Sequence, residues 1–214
     1  MKVPLMSPRI RSSRGVLLAL VLLACSTPIR TETIAHSGTA PLTKLALVPV
    51  EPAPRFKGAG GVPRELAAQL VTARVLDALN ELRTFEVVPP GEVTTALAAV
   101  PGENDIDRNV RLNRTFGVQA VLEGTVSRFN QREGGPRGVS RPAAVSFSLE
   151  LRGADGLVIW RGSYEEQQQS ISDDPRSLSR ARQRRFQWVT AEALAQYGAR
   201  ELIDELPGPR ASWK

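Results

Sequence analysis

The chain has few of the residues on which covalent and metal chemistry depend. Its 214 residues include one cysteine, Cys25, and one histidine, His36. A single cysteine excludes an intrachain disulfide and a metal site built from several thiolates. A single histidine removes most nucleophile–base pairs and most transition-metal sites, and His36 lies in a polar stretch typical of a linker. We therefore expect no metal, no cofactor and no catalytic residue.

The chain also lacks an apolar run long enough to cross a bilayer. Residues 15–24 are apolar, but this is half of the roughly 20 residues that a spanning helix needs. Four basic residues and no acidic residue precede the run: Lys2, Arg9, Arg11 and Arg14. This pattern predicts a signal peptide at residues 1–24. The alternatives are a short membrane span and a plain signal peptide that ends at an incidental cysteine.

Leu22-Leu23-Ala24-Cys25 resembles a bacterial lipobox. In such signals the cysteine thiol receives a diacylglyceryl group, and the amine freed by cleavage takes a further acyl chain such as palmitate. Cys25 is therefore the predicted lipid attachment site. Ser26 follows it, and the absence of an aspartate there favours the outer over the inner membrane. We expect a lipid-anchored protein on the periplasmic face of the outer membrane.

Polar residues without helical or strand periodicity fill the stretch after the cysteine. We interpret residues 25–42 as a lipidated tether, which as a flexible coil would span about 20–25 Å. A single periplasmic domain is expected at residues 43–207, with a short tail at 208–214. The net charge of +6 comes largely from the leader, because residues beyond it carry 24 basic against 22 acidic side chains. This mild excess does not favour nucleic-acid binding.

Apolar periodicity predicts the order strand, helix, strand, helix, helix, strand, strand, strand, helix. Strands are expected at residues 43–50, 84–88, 118–129, 145–151 and 157–164. Helices are expected at residues 62–82, 92–100, 105–116 and 175–206, while 51–61 and 130–142 have the composition of loops. On the first helix, the predicted inward face is Leu66, Leu70, Ala73, Leu76, Ala78 and Leu79. The fold class is mixed α/β (α+β): a small mixed sheet of about five strands, helices packed on it and a long C-terminal helix.

Several of these segments, in this order, resemble the CsgG-like and LpoB-like outer-membrane lipoproteins, which include activators of penicillin-binding proteins. A strand LALVPV at 45–50 follows the tether, and FEVV at 85–88 follows a helix. GVQAVLEG at 117–124 resembles that family's Gly-Ala-Asp-x-x-x-x-Gly strand, and DGLVIW at 155–160 resembles its Thr-Gly-x-x-x-Trp ending. The resemblance spans about 43–206 and implies a fold like the TolB amino-terminal domain, with a function carried by protein contacts.

The chain departs from the channel members of that group. Those members insert long hairpins into the outer membrane, whereas residues 130–142 are short, polar and rich in Gly and Arg. Two membrane strands of roughly 9–11 residues each would not fit there. We therefore expect no pore.

Candidate partner-binding residues cluster before the last apolar stripe. They are Arg180, Arg182, Arg184 and Arg185, which suit bidentate contacts with carboxylates or phosphates. Their alternative is an ordinary solvated helix face. Arg132, Arg137 and Arg141 flank the glycine-rich loop and would extend the same patch if the fold brings them together. Glu165-Glu166 and Asp173-Asp174 are carboxylate pairs for which simple solvation is the expected role.

The sequence thus favours a membrane-anchored, non-catalytic protein-interaction module of the periplasm, with regulation of a cell-wall synthase implied by the family resemblance. The alternative is a structural subunit of an outer-membrane or secretion-related envelope assembly, which self-association into a ring would favour. A wall hydrolase is the third class, and only ordinary carboxylates support it.

Overall fold

The computed structural model describes residues 28–34, 42–99, 104–135, 138–168 and 188–208. The helices of this part are α1 (Arg64–Leu82), α2 (Pro90–Ala98), α3 (Asp105–Phe116) and α4 (Ala191–Asp204). The strands are β1 (Ile29–Thr33), β2 (Lys44–Leu47), β3 (Glu51–Ala59), β4 (Glu86–Val88), β5 (Ala120–Asn130), β6 (Glu133–Gly135), β7 (Gly138–Arg141), β8 (Ala144–Gly153) and β9 (Val158–Gln167).

Seven strands form one mixed sheet in the order β1-β9-β8-β5-β2-β4, with β3 also paired to β5. β2 pairs in parallel with β4 and β5, whereas β8 and β9 are antiparallel to their neighbours. β2 and β3 pair with successive stretches of β5, since Leu45 lies opposite Ala120 and Glu51 opposite Thr125. The mixed α+β class is confirmed, with seven strands in the sheet where about five were predicted.

Two of the additional strands lie at sheet edges. β1 falls inside the stretch predicted to be a tether, and it pairs antiparallel with β9. β3 replaces part of the loop predicted at 51–61, and it pairs with β5. Pro52 and Pro54 are compatible with this strand because β3 is paired on one side, with β5. A proline has no N–H to donate to a hydrogen-bond ladder, and this is tolerated where one side of the strand is unpaired. The loop predicted at 130–142 contains the small hairpin of β6 and β7.

Helix α1 faces the sheet through most of the predicted side, since Ala78 and Leu79 are buried and Leu70 and Leu76 pack against the core. Its buried residues are Ala67, Ala68, Val71, Val75, Ala78 and Leu79. Leu66 is 43% exposed and Ala73 is also exposed, so the predicted face is wrong at both positions. The leucine spacing satisfied helical periodicity, but the small and β-branched residues let the helix approach the sheet more closely.

Helices α1 and α4 cover one face of the sheet and enclose the main core. The largest side chains buried there are Phe129, Phe147, Trp160 and Tyr164. The alternation predicted for β8 is confirmed, because Val145, Phe147, Leu149 and Leu151 are all buried in this cluster. Helices α2 and α3 cover part of the opposite face through a smaller cluster centred on Val93, Leu112 and Val121.

The C-terminal helix begins later than predicted. Thr190 caps α4, accepting a hydrogen bond from the Ala193 N–H at 3.3 Å, and residues 188–190 precede it without helical structure. Residues 175–187 of the predicted helix lie outside the described part. Gly198 does not break α4, and its hydrogen faces the ring of Tyr164. No helix among the described residues is both long and apolar enough to cross a membrane.

Candidate functional site

The described residues cover the second face of the sheet only in part. Helices α2 and α3 pack there on β2 and β5. Further along, the alternating side chains of β8 and β9 on this face are half-buried or exposed, as in Ser146, Ser148, Arg161 and Glu165. We call the side of the sheet formed by β5, β8, β9 and β1 on this face the open face. Its side chains are polar, whereas the residues between them point into the main core.

Strand register arranges the open face in transverse rows. One row runs across four strands as Glu123, Glu150, Arg161 and Glu32. The next row consists of Thr125, Ser148, Ser163 and Arg30. Residues directly opposite each other on neighbouring strands have side chains about 5 Å apart. The open face therefore carries a charged row beside a second row, which we call the hydroxyl row after the side chains of Thr125, Ser148 and Ser163.

An ion-pair network crosses the charged row. Glu123 and Glu150 lie opposite each other, a placement that by itself is unfavourable for two like charges. Arg152 binds both, contacting the Glu123 carboxylate and reaching the Glu150 Oε2 at 2.8 Å. Arg108 of α3 also pairs with Glu123, and the Arg161 Nε lies 3.0 Å from Glu150. Three guanidinium groups thus hold two carboxylates.

This network is well shielded from water at one end and open at the other. The side chains of Arg108 and Arg152 are each 19% exposed and Glu123 is 16% exposed, whereas Arg161 is 51% exposed. Shielded charge-assisted hydrogen bonds are stronger than solvated ones and fix the geometry of the groups they join. The inner end of the network therefore presents a rigid arrangement of charges before any partner arrives.

Two depressions lie on the open face. The first, about 280 Å³, is bordered by Val48, Pro49 and Glu51 and by the network. The second, about 250 Å³, lies over β8, β9 and β1. They share Ser148 and Glu150, so the hydroxyl row connects them. The first depression is mainly polar, whereas the second also exposes apolar surface between its donors and acceptors.

An apolar pair stands beside the network. Ile106 at the start of α3 is 50% exposed, and Leu157 before β9 is 46% exposed. The turn at Gly156 brings them together, since a methyl group on Gly156 would lie 3.0 Å from the Ile106 side chain. Exposed apolar residues next to arginines are the composition that protein interfaces favour.

Nothing on the open face resembles a catalytic arrangement. Both network carboxylates are bound by arginines, and the described residues contain no cluster of three or more side chains able to hold a metal ion. Glu165 and Glu166 point to opposite faces of β9: Glu165 pairs with Arg128 at 3.1 Å, and buried Glu166 accepts a hydrogen bond from Tyr164. These two carboxylates therefore do not act as a pair, and Asp173-Asp174 lie outside the described residues.

The arginine cluster predicted from the sequence is not in the described part. Arg180, Arg182, Arg184 and Arg185 fall outside it, as do Cys25 and Arg137. The described residues on either side of that segment meet, because the Gln168 side chain accepts a hydrogen bond from the Val189 N–H at 2.9 Å. Arg132 donates to the Trp188 carbonyl nearby, and Arg141 pairs with Glu133. Both flanks of the cluster thus lie at the end of the sheet where β9 finishes.

At the same end of the sheet, Gln131, which follows β5, holds the start of α4 through Glu192 and the Ala191 N–H. The Gln131 side chain donates to Glu192 at 2.9 Å and accepts a hydrogen bond from the Ala191 N–H. Burial raises the pKa of the Glu192 carboxyl, but the hydrogen bonds from Gln131 and from the helix start outweigh it and hold this pKa below its ordinary value. Glu192 and Gln131 serve to fix the helix start.

The sequence reasoning missed the network of the open face. Its members are Arg108, Glu123, Glu150, Arg152 and Arg161. A signal was present, since charged residues alternate with buried apolar residues along β8. Trp160, by contrast, is fully buried in the main core.

No family model and no curated protein matches the chain. Among solved structures it is similar to a PelC dodecamer from Paraburkholderia phytofirmans, at 15% sequence identity and a TM-score of 0.49, over 84% of this chain and 98% of that chain. It is also similar to the LpoB C-terminal domain from Salmonella enterica, at 19% identity and a TM-score of 0.41, over 62% of this chain and 87% of that chain. A third similarity is to the lipoprotein GNA1162 from Neisseria meningitidis, at 20% identity and a TM-score of 0.41, over 67% of this chain and 97% of that chain. An LpoB domain and a lipoprotein are thus among the structures that this chain is similar to, and the CsgG-like part of the resemblance stays a prediction.

Proposed function

We propose that this chain is an outer-membrane lipoprotein, anchored through Cys25, whose periplasmic domain is a non-catalytic protein-interaction module. The lipobox Leu22-Leu23-Ala24-Cys25 supports the anchor. A chain with two or more acyl groups stays on a membrane, whereas a single acyl chain binds only marginally. The domain thereby works on partners within reach of the bilayer.

The observation that carries the interaction role is the rigid ion-pair network on the part of the sheet face that no helix of the described residues covers. A partner that binds a preordered surface loses less conformational entropy at that surface than one that must order it. Charges held in a fixed pattern also discriminate between partners by complementarity. The apolar pair Ile106 and Leu157 beside the network supplies area that a partner can remove from water.

The partner class follows from the family resemblance and from charge. We propose a periplasmic enzyme of cell-wall synthesis, which the domain would regulate by binding one of its conformations more tightly than another. Arg180, Arg182, Arg184 and Arg185 are proposed as a second contact, with acidic side chains of the partner. A chain that binds in this way needs no catalytic group of its own.

The experiment is a cross-linked pull-down of the full lipoprotein from its own envelope, compared with three variants. Cys25→Ser removes the anchor and is expected to lose the partner. Ser148→Arg places a bulky cation in the hydroxyl row and is expected to lose the partner while staying in the membrane. Ala73→Arg is the matched control on the exposed side of α1, and it should retain the partner.

Two outcomes contradict the proposal. Recovery of the chain only with copies of itself, or with other lipoproteins in a fixed ratio, would identify a structural subunit of an envelope assembly. Equal recovery of the partner by Ser148→Arg and Ala73→Arg would remove the open face from the interaction.

A further inference from the structure

We propose that the end of the sheet at which β1 begins rests on the lipid headgroups, so that the domain stands directly on the bilayer. We call this end of the sheet, where β1 and β8 begin and β3, β5 and β9 finish, the anchor end. The inference rests on the proposed lipidation of Cys25. It replaces the free tether of 25–42 that the sequence predicted, because β1 lies inside that stretch.

The covalent reach from the anchor is short. Pro28 follows Cys25 by three residues, and a fully extended chain advances at most about 3.6 Å per residue, or about 11 Å in total. Pro28 is itself fixed to the sheet, because its carbonyl accepts a hydrogen bond from the Glu165 N–H at 2.8 Å. Ile29 then lies opposite Tyr164. The last residues of β9 therefore lie within a short distance of the lipidated residue.

Strand register shows what else lies at the anchor end. Lys57 near the end of β3 is opposite Arg128, and Gln167 at the end of β9 is opposite Ala144. Arg55 and Lys57 are both exposed, and among the described residues neither pairs with an acidic side chain. Basic side chains this close to a surface are attracted to anionic headgroups. The exposed acidic side chains at this end, Glu165 and Glu133, are each paired with an arginine, so within the described part of the chain Arg55 and Lys57 remain as cations without an acidic partner. By contrast, β1 carries one arginine and one glutamate, so charge favours contact through the anchor end over contact through the β1 edge.

The opposite end of the sheet then points into the periplasm. β9 has ten residues, and nine steps of roughly 3.3 Å separate its two end residues by about 30 Å. The turn at Ala154 and the apolar pair Ile106 and Leu157 lie at this far end. A partner that contacts them would approach from the periplasm, with the bilayer behind the domain. A partner that also reaches the arginine cluster, whose flanks lie at the anchor end, would have to extend along the domain to the bilayer surface.

Quenching by labelled lipids tests this orientation. The full lipoprotein is reconstituted in phosphatidylethanolamine–phosphatidylglycerol vesicles that carry nitroxide headgroups. A fluorophore is attached to Gln167→Cys at the anchor end or to Ala154→Cys at the far end, both of which replace exposed residues. Lipidated Cys25 does not react with the label. The fluorophore at 167 is expected to lose most of its emission, and the fluorophore at 154 to keep nearly all of it.

A control variant inserts twenty Gly/Ser residues between Ser26 and Thr27. It should float with the vesicles as before, but the quenching at 167 should largely disappear because the domain is released. Floating vesicles with equal quenching at 167 and 154, or with stronger quenching at 154, would overturn the orientation and leave the anchor intact. Failure of the unmodified lipoprotein to float would overturn the anchor, and with it this inference.

Discussion

Replacing Gly198 by alanine is expected to destabilise the domain, although alanine is the better helix former. Gly198 lies in the middle of α4, and a methyl group there would lie 2.4 Å from Cδ1 and 2.5 Å from Cγ of Tyr164. Carbon atoms pack at about 3.5–4.0 Å, so the ring or the helix would have to move by about 1 Å.

Neither group moves freely. Tyr164 is fully buried, its hydroxyl donates to Glu166, and its ring packs against Phe147 with centroids 5.6 Å apart. Helix α4 is held to α1 by Arg200 and Glu81. Overpacking of this kind costs about 2 kcal/mol, and the helix propensity of alanine returns about 1 kcal/mol. The free energy of unfolding should fall by about 1 kcal/mol, which lowers Tm by about 3 °C in a domain of this size.

Urea unfolding of the chain from residue 26 onward, followed by circular dichroism, measures this change. Gly91→Ala is the matched control: Gly91 also lies in a helix, nothing lies within 4 Å of its added methyl group, and the change should stabilise by about 0.5 kcal/mol. In a Tyr164→Leu background, Gly198→Ala should become stabilising because the ring is gone. If both alanine variants stabilise the unmodified chain equally, the close contact between α4 and β9 is refuted.

Three further results are expected. Asn109 is fully buried, and within the described chain its side-chain amide has no hydrogen-bond partner. Asn109→Leu, which has the same shape, should therefore stabilise by about 1 kcal/mol in urea unfolding, and destabilisation would show that the amide is satisfied. Arg152→Gln removes the guanidinium that joins Glu123 to Glu150 and leaves each carboxylate with one arginine, so it should cost about 2 kcal/mol. Arg161→Gln at the exposed end should cost under about 1 kcal/mol, and equal losses would contradict the ranking by burial. The hydrogen bonds from Arg200 lower the pKa of Glu81 below 4.5. This pair therefore stabilises the fold above pH 4.5, and its contribution is lost as the pH falls through the lowered pKa. Arg200→Gln should return the pKa of Glu81 to its ordinary value in an NMR titration, and an unchanged titration would exclude the pair.

Elements with strong local patterns were predictable from the sequence. Helix α3 has the predicted bounds, since Asn104 caps it by accepting from the Asp107 N–H at 2.9 Å and Gly117 ends it in the left-handed conformation. The apolar alternation of β8 predicted its buried face. Both signals are local: a cap, a left-handed glycine and a period of two are each set by a few consecutive residues.

The edge strands were not predictable in this way. β1 has the sequence IRTET, in which every residue after Ile29 is exposed, so it carries no apolar period. β3 contains two prolines, which are typical of a loop unless one side of the strand is free. Both strands depend on backbone pairing with distant residues, and that pairing leaves no mark in their own composition. The ion-pair network depends on register in the same way, because Glu123 and Glu150 come together only once β5 and β8 are aligned.

The same register explains why the open face stays uncovered within the described chain and what can cover it. A helix laid over Glu123, Glu150 and Arg152 would remove the remaining water from charges whose desolvation an apolar surface cannot offset. Arg161 and the hydroxyl row keep hydrogen-bonding groups pointed outward at the exposed end. A partner that covers the network must therefore bring polar groups in matching positions, whereas its apolar side chains can contact Ile106 and Leu157 beside the network. The charges of the ion-pair network thus make partner binding selective, and the same charges disfavour a packed layer of helices over the open face.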